Sequence, residues 1–64
     1  MMEQWQEDLI ATQGILMERL TTLADFNAGE VFDLMSATEQ TLLKREEQTV
    51  AEYLGVVSAR ISYF

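Results

Sequence analysis

Apolar residues recur at helical spacing through the first third of the chain. Placed at about 100° per residue, Trp5, Leu9, Ile10, Leu16, Met17, Leu20, Leu23 and Ala24 share one broad stripe, with Glu7, Asp8, Ala11, Glu18 and Thr22 on the other side. This pattern predicts a first helix over about Met2 to Ala24. Glu3, Glu7 and Asp8 stand at its start, where the helix dipole favours negative charge. Gln6 and Gln13 interrupt the stripe and Ile15 lies outside it. Those exceptions mark either a second contact surface or imperfect patterning.

Asp25-Phe26-Asn27-Ala28-Gly29-Glu30 reads as the turn that follows. Asn27 has the side chain of an N-cap, Glu30 stands where a capping-box carboxylate reaches back, and Phe26 with Val31 could staple the corner. Asp25, Asn27 and Gly29 also resemble the opening of a calcium loop. That pattern requires glycine where Glu30 stands and a bidentate acid where Ser36 stands, so it fails twice. Beyond Val31, Phe32, Leu34 and Met35 comes a polar passage from Ser36 to Thr49. Either one helix runs from Ala28 to Tyr63, with a kink near Ser36, or Ser36 and Glu39 form a second capping box and start a third helix. The absence of Gly or Pro near Ser36 favours the single long helix.

The last stretch carries the strongest pattern. Val50, Leu54, Val57, Ile61 and Phe64 follow one another at spacings of four, three, four and three, the period of an apolar seam seeking a partner helix. A first helix of about 23 residues is ~35 Å long and a second of about 35 is ~52 Å. Folded back antiparallel, the first covers the second only to about residue 50, and the seam beyond it overhangs. Each Leu or Ile left uncovered forgoes about 1.5–3 kcal/mol. On this reading Val50, Tyr53, Leu54, Val57, Arg60, Ile61 and Phe64, with Trp5 at the other chain end, are the partner-binding residues. Leu54→Asp or Ile61→Asp is then expected to disrupt association while the first helix stays folded.

Length sharpens that expectation. A 64-residue chain is a single domain, residues 1–64, and buries only about 60% of the surface its unfolded form exposes. Small chains usually make up the deficit with disulfides, a metal or a partner. With no cysteine and no histidine, disulfides and most metal chemistry are excluded, and a partner or very good helix packing is left. Eleven acidic residues against four basic ones give a net charge of −7. Such a chain is repelled by nucleic acid and anionic membranes and suits a basic protein partner, or simply stays soluble. The longest apolar run, Ile15-Leu16-Met17, is far short of a membrane span, and the N-terminus lacks the features of a secretory signal. Cysteine-free composition suits a reducing cytoplasm and leaves signal-less export open.

Little in the chain supports catalysis. Carboxylates alone would have to do acid–base work, and the adjacent Glu46 and Glu47 point in different directions on a helix. Gly14, Gly29 and Gly55 are isolated and cradle no phosphate, and Ser36, Ser58 and Ser62 have no histidine to activate them. No enzyme, cofactor, metal or small-molecule substrate is expected.

With Trp5, Leu42-Leu43-Lys44-Arg45, Thr49-Val50 and the tail Ile61-Ser62-Tyr63-Phe64, the chain resembles the small helical-hairpin proteins of type III secretion systems, needle subunits among them. The resemblance implies a hairpin whose C-terminal helix drives polymerisation. Where that family has a proline-containing turn, Asn27-Ala28-Gly29 stands here, and the acidic balance is closer to that of the secretion chaperones and co-chaperones. In length, acidity and the segment Leu16 to Leu23 the chain is also similar to the plasmid copy-control protein Rop. That likeness implies a dimeric four-helix bundle and RNA binding, for which Arg19, Lys44, Arg45 and Arg60 are the basic residues available.

The expectation is therefore an all-α protein: an antiparallel helical hairpin, short helix then long helix, whose core is completed by oligomerisation or partner docking. Its expected role is a non-enzymatic, acidic coiled-coil module for assembly, with itself or another helical protein as partner. The alternatives are a type III needle-like subunit or its chaperone in protein secretion, and an RNA-binding bundle.

Overall fold

A computed structural model describes all residues from Met1 to Phe64. The chain is all-helical and folds as an antiparallel hairpin of α1 (Gln4–Asn27) and α3 (Ala37–Ile61), joined through the single turn α2 (Glu30–Asp33). The molecule is a thin rod of 49 × 14 × 14 Å. No helix is long and apolar enough to cross a membrane.

The first helix starts where the acidic cluster predicts. Glu3 is its N-cap in extended conformation, and the Glu3 backbone N–H donates to Gln6 Oε1 at 2.8 Å. At the other end α1 runs one turn past the expected stop and includes Asn27. Asn27 is therefore not an N-cap. Its side chain crosses to α3 instead, donating from Nδ2 to Glu47 Oε1 at 2.8 Å and to the Leu43 carbonyl at 3.3 Å. The capping box with Glu30 does not form, and Gly29, in extended conformation, is the residue that precedes α2.

The single helix from Ala28 to Tyr63 does not form either. Ser36 stands in extended conformation and its hydroxyl accepts the Glu39 N–H at 3.2 Å, so a separate helix begins at Ala37. A serine cap supplies about 1 kcal/mol at such a start, without Gly or Pro. The break has a packing reason. It lets Phe32 turn inward at the corner, where it is buried, with its carbonyl accepting from Gln40 Nε2 at 2.9 Å and Lys44 Nζ 5.5 Å from its ring centre. It also leaves two helices of 24 and 25 residues, each about 36 Å long, which match end to end. The short-then-long architecture is thus corrected to two equal arms.

Each arm contributes one heptad ridge to the shared seam. On α1 it is Leu9, Gln13, Leu16, Leu20, Leu23 and Asn27; on α3 it is Leu43, Glu47, Val50, Leu54, Val57 and Ile61. Both step by four and three in alternation, the spacing of a coiled coil. All twelve are buried or half-buried, and Val57 is wholly enclosed. The polar members reach across the seam: Gln13 Nε2 donates to Ser58 Oγ at 3.1 Å and Asn27 Nδ2 donates to Glu47, while Asn27 Oδ1 is buried without a hydrogen-bond partner. A seam of leucines alone tolerates slippage by one heptad, and these two polar contacts fix the register.

Candidate interaction surfaces

Equal arms remove the overhang. The N-terminal half of α1 lies along Val50 to Ile61, because the chain pairs Gln13 with Ser58 and stacks Trp5 on Phe64 at the open end. Val57 is 0% exposed, and Val50, Leu54 and Ile61 are half-buried in the hairpin's own seam. Val57 is core and the other three line the same internal seam, a correction that follows from the helix break at Ser36. Leu54→Asp and Ile61→Asp would accordingly open the hairpin itself. The open end still exposes Met1, Met2, Trp5, Tyr63 and Phe64.

The other four predicted residues lie outside the seam. Trp5 and Phe64 meet edge to face, centroids 5.5 Å apart and planes at 89°, and both remain about half exposed. Tyr53 is 54% exposed and Arg60 is exposed. They belong to a second ridge on each helix, displaced from the seam toward one side.

Helical spacing and the cross-chain contacts define that side. Ile15, Arg19 and Phe26 step by four and seven along α1, and Leu42, Glu46 and Tyr53 do the same along α3, so each set shares a face. Arg19 Nη2 donates to Glu46 Oε2 at 2.7 Å, which places both ridges on the same side of the hairpin, with Trp5 and Phe64 at its open end. Three apolar pairs follow along it: Trp5 with Phe64, Ile15 level with Tyr53, and Phe26 level with Leu42. All six side chains are exposed. Beside them an open depression is bounded by Ile15, Glu18, Arg19 and Thr22, the i, i+3, i+4, i+7 diamond into which a coiled-coil side chain inserts.

The opposite side, marked by the Gln13–Ser58 contact, is plainer. Its large exposed apolar residues are Ile10 and Met17, set among Gly14, Thr21, Ala51 and Gly55. A methyl group added at Gly14 or Gly55 would meet nothing within 4 Å. Gly55 therefore makes no close helix contact within the hairpin.

Charge is arranged to match. Glu7, Glu18 and Asp25 follow the outer pole of α1, away from the seam, where water solvates them. The Arg19–Glu46 bridge is about half exposed at both ends, so it is worth little in stability and serves mainly to mark geometry. No three acidic side chains come together as a metal ion would require.

Sequence reasoning missed the second ridge because charged and hydroxyl residues interleave with its apolar members. The signal was Ile15, a large apolar residue off the main stripe. No protein-family model, curated protein or solved structure matches this chain.

Proposed function

We propose that the chain is a non-enzymatic protein–protein interaction module, a helical hairpin that completes its core against another helical protein. One observation carries this reading. Only Leu9, Leu23, Phe32 and Val57 of 64 residues are buried, while six large apolar side chains line one side of the rod. Two helices enclose a single seam, and a second seam needs further helices to close it. The C-terminal seam does not supply the docking surface; the side carrying Trp5, Ile15, Phe26, Leu42, Tyr53 and Phe64 does. Composition supports the non-enzymatic part, since histidine and cysteine are missing and the serines have no base to activate them.

Anything that binds only the folded chain raises its apparent stability with concentration. Thermal unfolding followed by circular dichroism across about a hundredfold range of chain concentration tests the reading. A rising midpoint, or low helicity that increases when a partner is added, is expected. Full helicity with a cooperative midpoint that never moves would count against it.

A further inference from the structure

Resting on the interaction reading above, we propose that the occupant of this side is a second copy of the chain, related by a two-fold axis that passes beside Tyr53. The spacing on α3 is palindromic about that residue. Leu42, Glu46, Tyr53, Arg60 and Phe64 step by four, seven, seven and four, in the order apolar, acid, tyrosine, base, apolar. On α1 the apolar members Trp5, Ile15 and Phe26 step by ten and eleven, so Ile15 is the centre of that ridge. Ile15 and Tyr53 stand at the same level of the hairpin, because the Trp5–Phe64 and Gln13–Ser58 contacts set an antiparallel register whose residue numbers sum to about 70.

A two-fold axis perpendicular to the helices at that level makes the side complementary to itself. It lays each α3 antiparallel on its copy, with Glu46 opposite the partner's Arg60, Leu42 opposite the partner's Phe64, and Tyr53 against the partner's Tyr53. Trp5 falls opposite the partner's Phe26. An isologous interface needs this property, that the patch pair with itself when reversed.

Charge and area agree with a second copy. Between its end pairs the side carries Asp8, Glu46 and, at its outer edge, Glu18 against Arg19 and Arg60, three acids and two bases, although the chain as a whole has a net charge of −7. Two copies therefore meet here with only a small part of their excess negative charge brought together. The 49 by 14 Å side has a footprint of roughly 700 Å², room enough for a standard stable interface, which buries ~800 Å² of accessible surface per partner.

Sedimentation equilibrium on the full chain tests the arrangement. The wild type is expected to be a dimer, and Tyr53→Glu should weaken it by about 100-fold, since two central side chains are lost per dimer. Glu46→Lys and Arg60→Glu should each weaken it by about 10-fold, because each sets two like-charge pairs across the axis, and the double variant should recover most of that loss. Met17→Glu, on the opposite side, should leave the dimer unchanged. The charge pair keeps the test sound if Tyr53→Glu misfolds. A dimer indifferent to Tyr53→Glu, a double reversal no better than the singles, or a dimer broken by Met17→Glu overturns the proposal. So does a chain monomeric at every concentration. If that monomer is poorly helical, the interaction reading survives with a foreign partner, and if it is fully helical with a fixed melting midpoint, both readings fall.

Discussion

The inner seam and the outer side of this hairpin run parallel, use the same alternation of threes and fours, and differ in what fills the positions. Along the seam leucine and valine dominate, and the few polar members are paired across it, as Gln13 is with Ser58 and Asn27 with Glu47. Along the outer side threonines and charges interrupt the apolar residues, with Val56 beside Tyr53 the exception, and the rings and aliphatic chains stay exposed. The first composition closes on itself within one chain. The second sets solvated groups among exposed apolar anchors. On the proposed reading, stability and recognition fall to different ridges of the same two helices.

Substitutions separate the two ridges, and the largest effect belongs to the seam. Val57→Asp places a charge in the one fully enclosed position, where an unpaired ion is penalised by more than the few kcal/mol a chain of this size holds in reserve. Loss of the helical circular dichroism signal at 25 °C is expected. Asn27→Ala comes next. It strips from Glu47 a charge-assisted hydrogen bond worth about 1.5–3 kcal/mol, a loss partly offset because the buried, unpartnered Asn27 Oδ1 goes with it, and the net effect is read from a lower denaturation midpoint.

Ser36→Ala removes the cap that starts α3 and should cost about 1 kcal/mol in the same denaturation experiment. Gly55→Ala has the smallest effect and the opposite sign. A methyl group there meets nothing, so alanine should stabilise the helix by up to about 1 kcal/mol and leave association untouched. Weaker association in that variant would move the contact to the plainer side of the rod and break the comparison drawn above.

The hairpin itself was legible from the chain, because the Leu9-to-Leu23 stripe and the Val50-to-Ile61 seam are strong helical patterns with no strand signal between them. The break at Ser36 was less so. Its capping signal, Ser36 with Glu39, was visible, but it competed with a polar stretch free of Gly and Pro, and only the tertiary gain of burying Phe32 and matching the arms decides between them. Asn27 misled for a related reason. Asparagine serves equally as a cap and as a polar member of a helix seam, and local sequence does not say which neighbour its amide will find. Of the expected partner residues, Val50, Leu54, Val57 and Ile61 proved to be seam once the arms were equal. Trp5, Tyr53, Arg60 and Phe64 remain on the accessible side. Leu42, Glu46, Ile15 and Phe26 join them there, and they were hidden because a ridge half filled with polar residues has little hydrophobic periodicity.

Because the chain has no cysteine, a single thiol can report directly on which side meets a second copy. Tyr53→Cys puts one thiol per chain at the two-fold axis, and Met17→Cys puts one on the opposite side. Under mild oxidation, at chain concentrations high enough to offset the lost tyrosine contacts, the account predicts that Tyr53→Cys converts rapidly to a covalent dimer, while Met17→Cys at the same concentration stays a single chain. Rapid cross-linking through Met17→Cys with none through Tyr53→Cys would contradict it.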